Sequence, residues 1–152
     1  LGVLLNIPDN NFRQLIDYVK QMDKQAKPSG WTPDLLLWFM LNSRMKEQEK
    51  QKYAETLAYP RLYNGLYKVI QAPNAAAAKD TLNKYLDRWY NLNSNAPWYN
   101  SHLKNNSYRG YWAWEVAAVA KIMHIDDSDL KNNQYYPYDM VHWADNETTA
   151  KE

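Results

Sequence analysis

The sequence contains no cysteine, which excludes disulfides and thiol chemistry. It has only four glycines, and none sits in a phosphate-cradling loop. HExxH, CxxC and GxSxG are absent, and no serine stands with a histidine and an acid at a recognisable spacing. No secretory leader is legible. The longest nearly apolar run, residues 111–123, falls short of the roughly 20 residues that span a bilayer. No alternating strand pattern and no fixed-period repeat emerges. Net charge is only +1, so bulk polarity does not point to nucleic acid. An initial Met is also missing. Leu1 to Leu5 read as the end of a helix that starts upstream, so the chain is expected to be a fragment or a trimmed product.

Aromatic residues are abundant. Seven Trp and thirteen Tyr among 152 residues supply large core and interface area with few torsions to freeze. That length suits a single domain with a sizeable core. Charge is unevenly placed: residues 1–109 carry 15 Lys+Arg and 9 Asp+Glu, a balance of +6, whereas residues 110–152 balance to −5. An acidic end of this kind suits a basic partner, although it also reads as an ordinary solvated surface.

The run 111–123 organises the chain as a buried central helix spanning about 110–123. Trp112, Val116, Val119 and Met123 form a large-residue stripe, and Ala113, Ala117 and Ala120 a small-residue stripe that lets another helix approach. Trp112, Val116, Val119, Leu82 and Trp89 are expected to be buried. Glu115 interrupts the run without a helical neighbour to pair with, and a buried carboxylate needs a partner. Arg61, Arg88 and Arg109 are the candidate cations for a structural pair.

Four further helices precede it. Phe12, Leu15, Ile16, Val19 and Met22 keep helical spacing over residues 10–26. Thr32-Pro33-Asp34 reads as a hydroxyl cap followed by proline at the first helical position of a helix from 33 to about 44. Residues 44–56 are charged and amide-rich, and read as a solvated linker or an exposed turn. Tyr59-Pro60 opens a helix over 60–71, in which Gly65 is a mild weakness. The clearest amphipathic helix spans 75–91, with Ala75, Ala78, Leu82, Tyr85, Leu86 and Trp89 inward. The polar connection that follows contains six Asn up to residue 107, with a turn of helix near Trp98–Leu103 and Trp98 and Tyr99 as the expected pins. Beyond the central helix, Asp127 or Ser128 caps a short piece near Leu130, and a last short helix ends at Trp143. The fold class is therefore all-α, a compact domain of about five main helices.

Candidate chemistry is sparse. His124, Asp126, Asp127 and Asp129 are the only metal-like cluster, and aspartates directly after a helix more commonly cap the next one, so neither metal nor cofactor is expected. His102 and His142 stand apart in sequence and read as structural or exposed. The mixed charge of residues 44–52 makes no clean basic stripe, so direct nucleic-acid binding is not expected either.

Four motifs give the last third of the chain a specific character. They are Gly110-Tyr111-Trp112, Trp114-Glu115-Val116-Ala117-Ala118, Ile125-Asp126-Asp127-Ser128, and Tyr135-Tyr136-Pro137-Tyr138-Asp139-Met140-Val141. In these the chain resembles the C-terminal domain of PoNi-type immunity proteins, which accompany polymorphic nuclease toxins delivered between competing bacteria. The family pattern carries alanine where Val116 stands. The layout from residue 1 onward is similar but less specific. The resemblance implies an α-helical, non-enzymatic protein that inhibits a cognate DNase toxin by direct binding, and the absence of cysteine is compatible with the cytoplasmic location expected for it. It also implies an additional N-terminal helical domain upstream, which fits the missing start.

Within that reading Gly110, Trp112, Trp114, Glu115, Asp126, Asp127, Ser128 and Pro137 are expected to hold the fold. Asp126, Asp127, Asp129 and Asp139, with Tyr135, Tyr136 and Tyr138, are the expected partner contacts. Acidic side chains suit the basic DNA-binding face of a toxin, and tyrosines are frequent interface anchors. The alternative is a non-enzymatic helical scaffold that self-associates into a homo-oligomer through its aromatic surface.

Overall fold

The computed structural model describes residues 1–25, 31–104 and 110–143. Among them are six α-helices: α1 (Asp9–Gln25), α2 (Leu35–Asn42), α3 (Pro60–Ile70), α4 (Ala75–Leu92), α5 (Trp114–Ile122) and the four-residue α6 (Tyr138–Val141). Short 3-10 turns lie at Glu47–Glu49, Ser101–Leu103 and Ser128–Leu130. No strand occurs among the described residues, and one isolated bridge joins Asp34 to Thr56. The fold is all-α with five main helices, as the apolar spacing predicts.

Two apolar cores share α2. The larger gathers Leu36 of α2, Leu66 and Val69 of α3, Leu82, Leu86 and Trp89 of α4, and Val116–Ala120 of α5. The smaller packs Phe12, Ile16 and Val19 of α1 against Trp38 and Leu41 of α2. A short helix that is apolar on every side fits this position, because each side meets a different core. Leu15 is the exception on α1 and stays 42% exposed, so the inward stripe there is narrower than its spacing predicts.

The start of α2 corrects the sequence expectation. Its cap is Asp34, not Thr32: Asp34 Oδ1 accepts from Leu37 N at 2.7 Å. Oδ2 accepts from Ala58 N at 2.6 Å. A carboxylate has two oxygens where a hydroxyl has one, so it can cap the helix and also hold the chain returning toward α3. Residues 44–56 make one 3-10 turn and are then fastened rather than loose. Asn42 Nδ2 donates to Gln51 O at 2.8 Å, and Gln51 N donates back to Asn42 Oδ1 at 2.9 Å.

The central helix is shorter than its apolar run. It begins at Trp114, and residues 110–113 lie outside the helix, with Gly110 at φ 83° and Ala113 N donating to Tyr135 O at 2.9 Å. Because these residues are not helical, the helical stripe does not apply to them: Tyr111 and Ala113 are buried, while Trp112 is 41% exposed. Trp112 consequently leaves the core list; Val116, Val119, Leu82 and Trp89 are buried as expected. Lys121 is the second charged residue in the run 111–123. Its Nζ donates to Leu4 O at 2.9 Å and Val141 O at 2.7 Å, joining the segment before α1 and the end of α6 to the last turn of α5.

Gly65 is an asset of the fold. A Cβ there would lie 2.6 Å from Tyr85 Cδ2 of α4, so its hydrogen is what lets α3 approach Tyr85. Alanine would gain about 1 kcal/mol of helix propensity and lose about 1–3 kcal/mol to overpacking. We expect Gly65→Ala to be destabilised by up to about 2 kcal/mol in urea unfolding, against the stabilisation that propensity alone predicts.

Candidate functional site

Two segments carry the predicted contacts, the turn after α5 and the stretch from 131 through α6. His124 closes the turn with φ of 52°. Asp126 Oδ1 then accepts from Ser128 N at 3.2 Å, so Asp126 holds the 3-10 turn from its start. Its other oxygen pairs with Lys79 Nζ of α4 at 2.8 Å. Asp129 meets the same lysine at 3.1 Å and accepts from Asn83 Nδ2 at 3.2 Å. Lys79 and the Ser128 contacts draw the Asp126 carboxyl down to about 2, and Lys79 lowers Asp129 as well. Both acids stay exposed, but they share one lysine and present less net charge than the sequence implies.

Asp127 turns the other way and is 5% exposed. Its Oδ2 accepts from Tyr136 Oη at 2.7 Å, and its Oδ1 lies 3.0 Å from His142 Nε2. Burial, and then the Asp127 carboxylate, push the Tyr136 hydroxyl well above its ordinary value. Asp127 and Tyr136 are thus internal braces, and the geometry removes both from the expected set of surface contacts. Tyr135 is half-buried: its ring stacks on Tyr90 at 5.3 Å and lies 5.5 Å from Trp89. Trp98 and Tyr99 pin the long connection as expected, on Trp89 at 5.6 Å and Tyr90 at 4.6 Å. His102 is not isolated, since its Nδ1 lies 2.7 Å from Tyr111 Oη.

Beside these braces lies a groove: Trp112, Trp114, residues 131–134 and Tyr136–Met140 line a cavity of about 470 Å³. Pro137 O accepts from Met140 N and Val141 N and starts α6 there. Tyr138 is half-buried with its ring 4.4 Å from His142, and Asp139 is exposed. The lining is aromatic and amide-rich, with one acid and one lysine.

Glu115 is set apart from both groups. Arg61 and Arg88 are exposed and do not pair with it, and Arg109 lies outside the described residues. Its donor is instead the indole of Trp89, with Nε1 2.6 Å from Oε1. An indole N–H satisfies the oxygen without neutralising the charge. Burial accordingly raises the Glu115 carboxyl above its ordinary value, against the opposing pull of that hydrogen bond. Composition holds no signal for a Trp–Glu pair separated by 26 positions.

His124, Asp126, Asp127 and Asp129 do not converge, because Asp127 faces inward and the other two acids face Lys79. Among the described residues no group of three His, Asp or Glu side chains is placed to hold a metal ion. No described helix is long and apolar enough to cross a membrane.

Among known proteins, no curated protein and no solved structure matches the chain. A family model described as PoNe immunity proteins (PoNi), C-terminal, matches residues 32–140. That range takes in α2 to α5, most of α6, the 125–128 turn and the groove. With well over half of its length matched, the chain belongs to the PoNi family of PoNe immunity proteins, in that family's C-terminal region.

Proposed function

We propose that this chain is an immunity protein that binds a cognate PoNe-type DNase toxin and inhibits it by covering the toxin's DNA-binding or active-site face. Family membership over residues 32–140 carries the reading. Occlusion involves no chemistry by the inhibitor, and it operates in the cytoplasm of the cell that must survive its own toxin. A DNase presents positive potential to phosphates, so the exposed acids Asp139, Asp126 and Asp129 beside an aromatic groove compete for the same face. Asp139, Tyr138 and Trp112 around the groove are the proposed direct contacts. Asp126 and Asp129 lie on the adjoining turn, and Asp127, Tyr135 and Tyr136 support it from within.

The test is co-expression with the neighbouring toxin gene, followed by co-purification and a DNase assay. A stable complex with nuclease activity suppressed is expected. Asp139→Lys should weaken toxin binding about 10-fold at low salt and flatten its salt dependence, with circular dichroism unchanged. An intact fold with unaltered affinity and salt dependence would move the interface off the groove.

A further inference from the structure

Trp112 and Trp114 also line a second cavity, of about 510 Å³, whose walls are completed by Trp89, Trp98 and Gly110 with Tyr63 and Asn93, and Glu115 lies in its lining. The indoles are held in place rather than loosely exposed. Trp98 stacks on Trp89 with an interplanar angle of 18°, and Trp112 leans on Trp114 at 5.9 Å. Gly110, at φ +83°, leaves room for the Trp112 ring: a Cβ there would lie 2.5 Å from Trp112 Nε1. Trp98 and Trp112 nonetheless keep 37% and 41% of their surface open.

Among the described residues, the only side chain bonded to Glu115 is the Trp89 indole, and no cation forms an ion pair with it. A carboxylate set in aromatic walls has the chemistry of a cation socket. The ring faces attract a positive charge, and the carboxylate forms charge-assisted hydrogen bonds with it. Guanidinium suits such a slot better than ammonium, because it stacks on indoles and offers a planar fork of donors. Trp112 and Trp114 line both the socket and the groove, so a protein lying in the groove can place a side chain in the socket. A nuclease surface that holds phosphates is a ready source of arginine.

We propose that the tryptophan-walled cavity around Glu115 receives an arginine side chain of the partner toxin. This rests on the reading of the chain as a toxin-binding immunity protein. The arginine supplies the charge that the Trp89 indole does not, and Glu115 anchors the interface instead of bracing the fold.

The experiment measures affinity of the purified full chain for the toxin, alongside thermal melts across pH. Glu115→Gln keeps an acceptor for Trp89 and removes the charge. It should weaken toxin binding at least about 30-fold, the scale set by leaving a buried charged partner unpaired. Its melting point at neutral pH should be equal or higher. The folded state raises the Glu115 pKa, so it binds more protons than the unfolded chain above the ordinary value of 4.5. Wild-type stability therefore falls as pH rises through that titration, and the decline should vanish in Glu115→Gln. Trp112→Leu should weaken binding too, less than additively with Glu115→Gln. One toxin arginine, changed to alanine, should show the same non-additivity.

If wild type binds and inhibits while Glu115→Gln does so equally well, the socket is refuted and the immunity reading stands. If wild type does not bind the toxin, both fall. If Glu115→Gln and Arg109→Ala each lower the melting point by the same amount and do not add, the carboxylate pairs within its own chain and the proposal is overturned.

Discussion

Asp127→Ala should cost about 3–5 kcal/mol of unfolding free energy, the most damaging single substitution expected in the last third of the chain. The carboxylate is 5% exposed and meets two side chains from the terminal segment, Tyr136 Oη at 2.7 Å and His142 Nε2 at 3.0 Å. Alanine leaves the buried Tyr136 hydroxyl without its acceptor and removes both ties from Asp127 to the residues flanking α6. Each hydrogen bond to a charged group contributes about 1.5–3 kcal/mol, and an orphaned buried donor adds its desolvation penalty. Tyr136→Phe is the internal control. It removes one of the two ties and leaves the carboxylate facing His142, so about 1.5–3 kcal/mol is expected. Urea unfolding monitored by circular dichroism measures both. An Asp127→Ala variant as stable as the parent would mean that the buried carboxylate does not hold the C-terminal segment.

Trp38→Ala should be comparably destabilising, by about 3–5 kcal/mol. Trp38 is 2% exposed at the centre of the smaller core and is among the largest fully buried side chains. Its ring meets Tyr53 edge-on at 5.3 Å, and its Nε1 donates to Asp23 Oδ2 at 2.7 Å. The same carboxylate accepts from Trp31 Nε1 at 3.0 Å and Tyr53 Oη at 2.8 Å. One residue near the end of α1 thus gathers donors from both sides of α2, and removing the indole empties the cavity that α1 covers. Trp38→Phe keeps most of the volume and loses the hydrogen bond, so a smaller loss of about 1–2 kcal/mol is expected. Differential scanning calorimetry on the two variants separates volume from hydrogen bonding. Equal losses would place the whole effect on the indole N–H.

The outward groove, the internal brace and the socket depend on side-chain directions that local pattern does not encode. Asp126, Asp127 and Asp129 stand almost side by side in sequence and look equivalent there. Only the packing of α6 against the turn assigns Asp127 to Tyr136 and His142, and only the approach of α4 brings Lys79 to the other two. Trp112 shows the same limit from another direction. Its run continues the helical apolar stripe, but the helix starts only at Trp114, and with Gly110 in the left-handed region and Ala113 bonded to Tyr135 the indole is left 41% exposed.

By itself the sequence determined the fold class, the extents of α1, α3 and α4 to within about two residues, the buried set on α4 except for Ala75, which is exposed at the helix start, and the family. Those properties follow from local periodicity, breakers such as Pro60 and Asn74, and contiguous motifs. The tertiary structure alone decided that α2 divides two cores and that Asp34 both caps α2 and anchors Ala58. It also decided that Lys121 joins the segment before α1 to α6, and that Glu115 answers to an indole rather than an arginine. These are contacts between residues far apart in the chain. Their partners are selected by which elements pack together, and no window of sequence contains both ends.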